Sequence, residues 1–126
     1  MDDLDQLLHD HALLTAEFER VGAYLKGPTA IPTAEAVRLL LSLREQIEAH
    51  FALEEARILD VLAARLPERA SAIEALRREH TAMREALAPL RRAQEADPAP
   101  HRGDLSALFE LSYGLHRTHV ANEDAL

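Results

Sequence analysis

Glycine and proline divide this chain into four long segments, and each segment repeats its apolar residues with the period of an α-helix. The segments run approximately over residues 2–26, 33–65, 67–95 and 104–126. Each has one apolar face, because its large apolar residues recur three or four positions apart. Long amphipathic helices joined by short links pack as antiparallel neighbours. The sequence therefore predicts an all-α, antiparallel, up-down-up-down four-helix bundle that forms a single domain over residues 1–126.

The apolar stripes also predict which side chains are buried. Val61 is expected on the buried face of the second segment. In the fourth segment, the buried face is expected to carry Leu108, Leu111 and Leu115. Pro89 lies inside the third segment, where it predicts a kink or an early end of the regular helix.

Composition and charge exclude several classes of function. The chain has no cysteine, which excludes disulfides, zinc sites with thiolate ligands and iron–sulfur clusters. The formal net charge is −8, which argues against nucleic acid and against an anionic membrane surface as partners, since both attract basic proteins. The chain has no apolar run of about 18 residues and no signal-like start. We therefore expect a cytoplasmic protein without a membrane span.

Polar residues interrupt the apolar stripe of every segment at one level. The interrupting residues are His11, His50, His80 and His119, with Glu54 and Glu123 one turn after the second and fourth of them. At a rise of 1.5 Å per residue, each histidine lies about 23 Å from the same end of the bundle. Ionised carboxylates buried there require a cation. Imidazole and carboxylate without sulfur favour iron foremost, with manganese and zinc as alternatives, so the sequence predicts a metal site.

Each of these positions also has a purely structural interpretation. A lone histidine on an apolar face is commonly a hydrogen-bonded core residue, and each His–Glu pair could be an intrahelical hydrogen bond. In that case Arg57 or Arg84 would neutralise a carboxylate. Convergence of six such side chains at one depth favours the metal. Of the other histidines, His9 is expected in solvent, His101 in a loop, and His116 in solvent or behind the metal ligands.

The motifs around these residues resemble those of the hemerythrin-like (HHE cation-binding) family, in the same order and along essentially the whole chain. They are DHALL at 10–14, HFALEE at 50–55, EHTAMR at 79–84 and HVANED at 119–124. The resemblance implies two non-heme iron ions bridged by an oxo or hydroxo group and by the carboxylates of Glu54 and Glu123. The four histidines would be terminal ligands. Family members bind dioxygen reversibly, or sense or handle oxygen, nitric oxide, peroxide or iron.

The sequence departs from the oxygen-carrying hemerythrins in its third segment. Those proteins carry a second histidine four residues from the first, but here the two positions four residues from His80 hold Leu76 and Arg84. The candidates to fill this vacancy are water, His116, Glu79 and Glu55. The missing ligand weakens the case for a stable oxygen carrier and favours a sensor, redox or mixed-metal role.

The last carboxylate ligand has two candidates. Oxygen carriers place it five residues after the histidine, which would select Asp124, whereas the helical phase favours Glu123. Apolar walls that exclude water from the site are expected one turn from the ligands. The candidate wall residues are Ile47, Leu76, Met83 and Leu115, for which plain core packing is the equal alternative.

Three functions follow from these residues. The leading hypothesis is a di-iron module that binds dioxygen or a related small ligand, with no catalytic residues. The alternative is a di-iron redox enzyme of the peroxidase, oxidase or NO-reductase type that uses the same site. The third is a structural bundle with a buried polar layer and no metal. A ferritin-like oxidase is disfavoured, because the Glu-x-x-His motif of that class is absent.

Overall fold

A computed structural model describes residues 3–27, 31–93, 95 and 101–125 of the chain. Its helices are α1 (Asp3–Lys26), α2 (Thr33–Glu54), α3 (Asp60–Arg65), α4 (Ala70–Leu87), α5 (Leu90–Ala93) and α6 (Arg102–Asp124). A π-helical segment, Glu55–Leu59, joins α2 to α3 without a break, and the 3-10 turn Pro67–Arg69 leads into α4. The described ranges contain no strand. The predicted all-α four-helix bundle is confirmed, and most of the two longer predicted loops, at 28–30 and 96–100, lies outside the described residues.

The helices pack around two apolar clusters. α1 lies against α2, α4 lies against α6, and α6 also contacts α1 and α2. The larger cluster includes Phe18, Leu40, Leu87 and Phe109, all from the half of the bundle near the α1–α2 connection. The smaller cluster, centred on Leu59, Ile73 and Leu76, lies towards the opposite end. None of the helices in the described ranges is long and apolar enough to cross a membrane.

Proline interrupts the third segment as predicted. α4 ends at Leu87, and α5 begins at Leu90 after a turn that contains Pro89. Proline has no backbone N–H and its ring crowds the preceding turn, so the regular helix stops there. The fourth helix begins at Arg102, two residues before the predicted start at Asp104, which lies in its first turn.

The predicted buried face of α6 is wrong in its first half. The buried residues there are Leu105, Phe109 and Ser112, while Leu111 is 56% exposed and both Leu108 and Leu115 are half-buried. Phe109 determines this phase, because its ring packs 6.0 Å from that of Phe18, centroid to centroid, and fits against Gly22 of α1. A Cβ atom on Gly22 would lie only 2.9 Å from Phe109 Cζ, so the absence of a side chain there lets the ring lie against α1.

The prediction that Val61 is buried is also wrong, since 43% of this residue is exposed. The π-helical segment Glu55–Leu59 causes the difference. A π-helix closes its hydrogen bonds over five residues rather than four, so it shifts the phase of every residue that follows. Ile58 and Leu59 are consequently both buried, and Val61 is rotated towards solvent.

Candidate metal centre

Four imidazoles and two carboxylates from all four segments converge at one level between the two apolar clusters. One group brings together donor atoms of His11, His50, Glu54 and Glu123, all within 4.8 Å of one another. A second group consists of Glu54, His80 and His119 on the same criterion. We call His11 and His50 the first histidine pair, and His80 and His119 the second. Glu54 belongs to both groups and connects them.

The two oxygens of the Glu54 carboxylate face different histidine pairs. Its Oε1 lies 2.5 Å from Nε2 of His50 and 3.6 Å from Nε2 of His11. Its Oε2 lies 2.9 Å from Nε2 of His80 and 3.4 Å from Nε2 of His119. The side chain is fully buried. Glu54 therefore lies between the two histidine pairs, with one carboxylate oxygen directed at each.

Glu123 faces one histidine of each pair with a single oxygen. Its Oε1 lies 3.3 Å from Nε2 of His11 and 2.5 Å from Nε2 of His119. The Glu123 side chain is only 4% exposed, whereas Asp124 is exposed and is not part of either group. The structure thus brings Glu123, and not the alternative Asp124, to the convergence point.

Further carboxylates lie near the Nδ1 atoms of the converging histidines, on the side away from the convergence point. The His80 Nδ1–H donates to Glu55 Oε1 at 2.9 Å, and the His119 Nδ1–H donates to Glu79 Oε1 at 2.8 Å. Asp10 Oδ2 lies 3.5 Å from His50 Nδ1 but forms no hydrogen bond with it. We call Glu55 and Glu79 the outer carboxylates. An outer carboxylate fixes the ring orientation and the tautomer, which leaves the Nε2 lone pair pointing inward.

The positions of the outer carboxylates exclude two of the candidates for the missing histidine's place. Glu55 and Glu79 were candidates to fill the vacancy, but they contact the histidines from outside and not at the convergence point. Sequence reasoning missed this role. The available signal was position: each outer carboxylate directly neighbours a converging residue in sequence, yet it serves a histidine on another helix, as Glu79 next to His80 serves His119.

Arg84 supports the second histidine pair from the surface. Its guanidinium donates to Glu55 at 3.0 Å and to Glu48 at 2.8 Å. It also lies 5.3 Å from the centre of the Phe51 ring, which stacks on His80 with centroids 3.8 Å apart. One of the two positions four residues from His80 is therefore occupied by a cation that points outward and neutralises an outer carboxylate.

Several polar atoms of the converging side chains are buried without a hydrogen-bond partner. They are both ring nitrogens of His11 and of His50, together with Oε1 of Glu54 and of Glu123. Leaving buried polar atoms unpaired is unfavourable, by about 1–3 kcal/mol for each group. Donor atoms that face one another without hydrogen bonds are the arrangement that a cation would satisfy.

The converging histidines and Glu54 shift one another's pKa values. Burial lowers the pKa of His11, but hydrogen bonds and attraction to Glu123 and Glu54 outweigh it and raise that pKa to about 9. The same balance raises the pKa of His119 to about 10. Burial by itself raises the pKa of Glu54, yet the surrounding histidines hold it far below its usual value. The Glu54 carboxylate therefore stays ionised, and in the protein without metal the protons on His11 and His119 supply the positive charge.

Most of the remaining predicted residues are placed as expected. His9 and His101 are exposed, and the wall candidates Ile47, Leu76 and Met83 are buried, whereas the candidate Leu115 is only half-buried. His116 was expected in solvent or behind the ligands; it is buried, so the solvent alternative is wrong. Its Nε2 lies 3.0 Å from the Thr15 hydroxyl, and its ring stacks on Phe18. Burial, with repulsion from the charged histidines, lowers the pKa of His116 to about 4, so it is neutral at pH 7.

Comparison with known proteins agrees with this geometry. The family model of the hemerythrin HHE cation binding domain matches residues 2–126, which is nearly the whole chain. The searches of curated proteins and of solved structures returned no match. The match and the buried His/Glu groups independently indicate a domain that binds metal cations.

Proposed function

Because this chain belongs to the hemerythrin HHE cation-binding family, we propose that it holds two non-heme iron ions between its helices. We further propose that it uses them to bind, sense or handle dioxygen or a related small ligand such as nitric oxide or peroxide. The ligands would be His11, His50, Glu54, His80, His119 and Glu123. One ion would lie with the first histidine pair and the other with the second.

The observation that carries this proposal is the orientation of the Glu54 carboxylate. Its two oxygens face different histidine pairs, with Nε2 distances of 2.5 Å to His50 and 2.9 Å to His80. A carboxylate that served a single ion, or that only accepted intrahelical hydrogen bonds, would have no reason to divide its oxygens between pairs. Glu123, which faces His11 and His119, supports the same interpretation.

The donor set favours iron and leaves room for a ligand. Imidazole nitrogen and carboxylate oxygen suit iron, manganese and zinc, and the absence of cysteine removes the softer alternatives. Each ion would receive two imidazoles and up to two shared carboxylates, so coordination positions stay open. Bound iron would supply the redox couple and the open position at which a small ligand binds.

The chain's own side chains would control access and orientation. Ile47 and Met83 are buried one turn from ligand histidines, where they exclude water from the centre. Phe51 covers the outer face of His80. The outer carboxylates keep the Nε2 atoms directed inward and make the imidazoles stronger donors.

The direct test is metal content after expression with added iron. We expect about two iron ions per chain by elemental analysis, and a loss of iron in Glu54→Ala with helix content largely preserved. His9→Ala is the matched control, because His9 is exposed and away from the centre. Absence of any transition metal from the unmodified chain, or loss of iron in His9→Ala, would refute the proposal.

A redox enzyme built on the same centre is the second candidate. The observation that favours it is the open coordination: the described structure supplies four imidazoles, where oxygen carriers use five. Steady turnover of hydrogen peroxide or nitric oxide by the iron-loaded chain, absent from Glu54→Ala, would favour the enzyme. Stoichiometric, reversible binding without turnover would favour the sensor or carrier.

A further inference from the structure

A cavity of about 880 Å³ opens at the end of the bundle next to the metal centre. We call it the end cavity. Its lining includes four buried apolar side chains, those of Leu7, Ile58, Leu59 and Leu76. Leu8 and Val61, both about half exposed, lie at its mouth. Glu123 also lines it, so the end cavity reaches the edge of the metal centre.

The end cavity is much larger than a diatomic ligand requires. Its volume falls within the range of roughly 300–1,000 Å³ that is typical of sites for organic molecules. Part of its wall is the π-helical segment, which contributes Arg57, Ile58 and Leu59. Such wide helical turns recur at functional sites. Here the widened turn brings two adjacent apolar side chains inward and leaves Arg57 at the solvent side.

Two arginines line the end cavity without acidic partners. Arg57 and Arg65 are exposed, and no carboxylate of the described residues forms an ion pair with either. Arg20, Arg77 and Arg84, by contrast, each pair with a carboxylate. We call Arg57 and Arg65 the rim arginines. In a chain with a net charge of −8, two unpaired guanidinium groups beside one cavity favour an anionic ligand.

We propose that the end cavity binds an amphiphilic carboxylate, with its head group at the rim arginines and its apolar chain along Leu7, Ile58 and Leu76. Asp124, an exposed carboxylate that also lines the cavity, opposes a second negative charge and favours a ligand with one anionic end. The apolar chain would extend towards Glu123. The closeness of the ligand's apolar chain to iron rests on the proposed function, but binding of the ligand does not.

Calorimetric titration of the iron-loaded chain with sodium decanoate, kept below its micelle concentration, tests the proposal. We expect saturable binding at one site. Acetate and decanol should bind at least about tenfold more weakly, because acetate lacks the apolar chain and decanol lacks the carboxylate. The Arg57→Ala/Arg65→Ala double variant should bind decanoate about fivefold more weakly or worse. Arg38→Ala/Arg44→Ala is the matched control, since it removes two guanidinium groups that line a different depression.

A variant that fills the mouth tests the location. Val61 is 43% exposed, so Val61→Trp is expected to fold and to block decanoate. Decanoate binding that is undetectable, is matched by decanol, survives Val61→Trp, or falls equally in the Arg38/Arg44 control would overturn the proposal.

Iron content, measured on the same samples, separates this proposal from the previous one. Decanoate binding in a chain that takes up no iron would refute the di-iron function alone. Two irons per chain without decanoate binding would refute only the end-cavity ligand.

Discussion

At the residue scale, acidic side chains that are adjacent in sequence have different roles in the centre. Glu54 lies between the histidine pairs, whereas its neighbour Glu55 contacts His80 from outside, with the two carboxylates on opposite nitrogens of one ring. The π-helical segment begins at Glu55, and the wide turn is where these two consecutive side chains reach the same imidazole. The HFALEE motif at 50–55 thus supplies one carboxylate that lies among the converging imidazoles and one that holds a converging imidazole from outside.

Glu55→Ala should weaken metal binding without removing a ligand. The His80 ring loses the acceptor that fixes its tautomer, and such losses reduce metal affinity by about 10-fold to 100-fold. Competition with a chromophoric chelator measures the change. Glu85→Ala, on the exposed face of the same helix as His80, is the control. Glu55→Gln should be intermediate, because its amide oxygen still accepts from Nδ1–H but carries no charge. Equal affinity in Glu55→Ala and the control would contradict the orienting role.

At the scale of the elements, periodicity predicted the four segments and the residues that converge, and it failed where a helix changed its period or where one large side chain determined the phase. The six converging side chains were predictable, because a polar residue on an apolar stripe needs a partner in the interior and its position in the stripe shows where that partner must lie. The π-helical segment was not predictable, since a constant period of 3.6 residues cannot represent an inserted residue. The buried face of α6 depends on the fit of Phe109 against Gly22, a contact between helices that no single-helix pattern contains.

Two glycine substitutions test that contact. Gly22→Ala should destabilise the bundle by about 1–3 kcal/mol, because its Cβ would lie 2.9 Å from Phe109 Cζ and the ring would have to move. Gly114→Ala, also within a helix, has no atom within 4 Å of the added Cβ and should stabilise by up to about 1 kcal/mol. Urea unfolding of the metal-free variants measures both. A Gly22→Ala variant as stable as Gly114→Ala would show that the Phe109 contact does not determine the helix phase.

At the scale of the whole molecule, protons and metal ions are alternative sources of positive charge for the same buried carboxylates. His11 and His119 have pKa values raised from 6.5 to about 9 and about 10, so their contribution to stability is complete below pH 6.5. It is lost as the pH rises through 9 to 10. His116 has the opposite sign: its pKa is lowered to about 4, so its contribution is complete above pH 6.5 and is lost as the pH falls towards 4.

The metal-free chain should consequently be most stable near pH 6.5 and should lose stability on either side, which thermal unfolding from pH 4 to pH 10 would measure. The alkaline loss should disappear in the His11→Gln/His119→Gln double variant, whose side chains do not titrate, while the acidic loss persists. A metal-free chain whose melting temperature stays constant between pH 7 and pH 10 would contradict the charge coupling.

Metal uptake should release protons for the same reason. At pH 7 the metal-free centre holds protons on His11 and His119, and both must leave before the imidazoles can bind cations. Calorimetric titration with a divalent metal in buffers of different ionisation enthalpy should detect a release of about two protons per chain. The apparent affinity should therefore rise with pH until it levels off near pH 10. A titration that releases no protons at pH 7 would mean that the metal does not replace the protons on these two imidazoles.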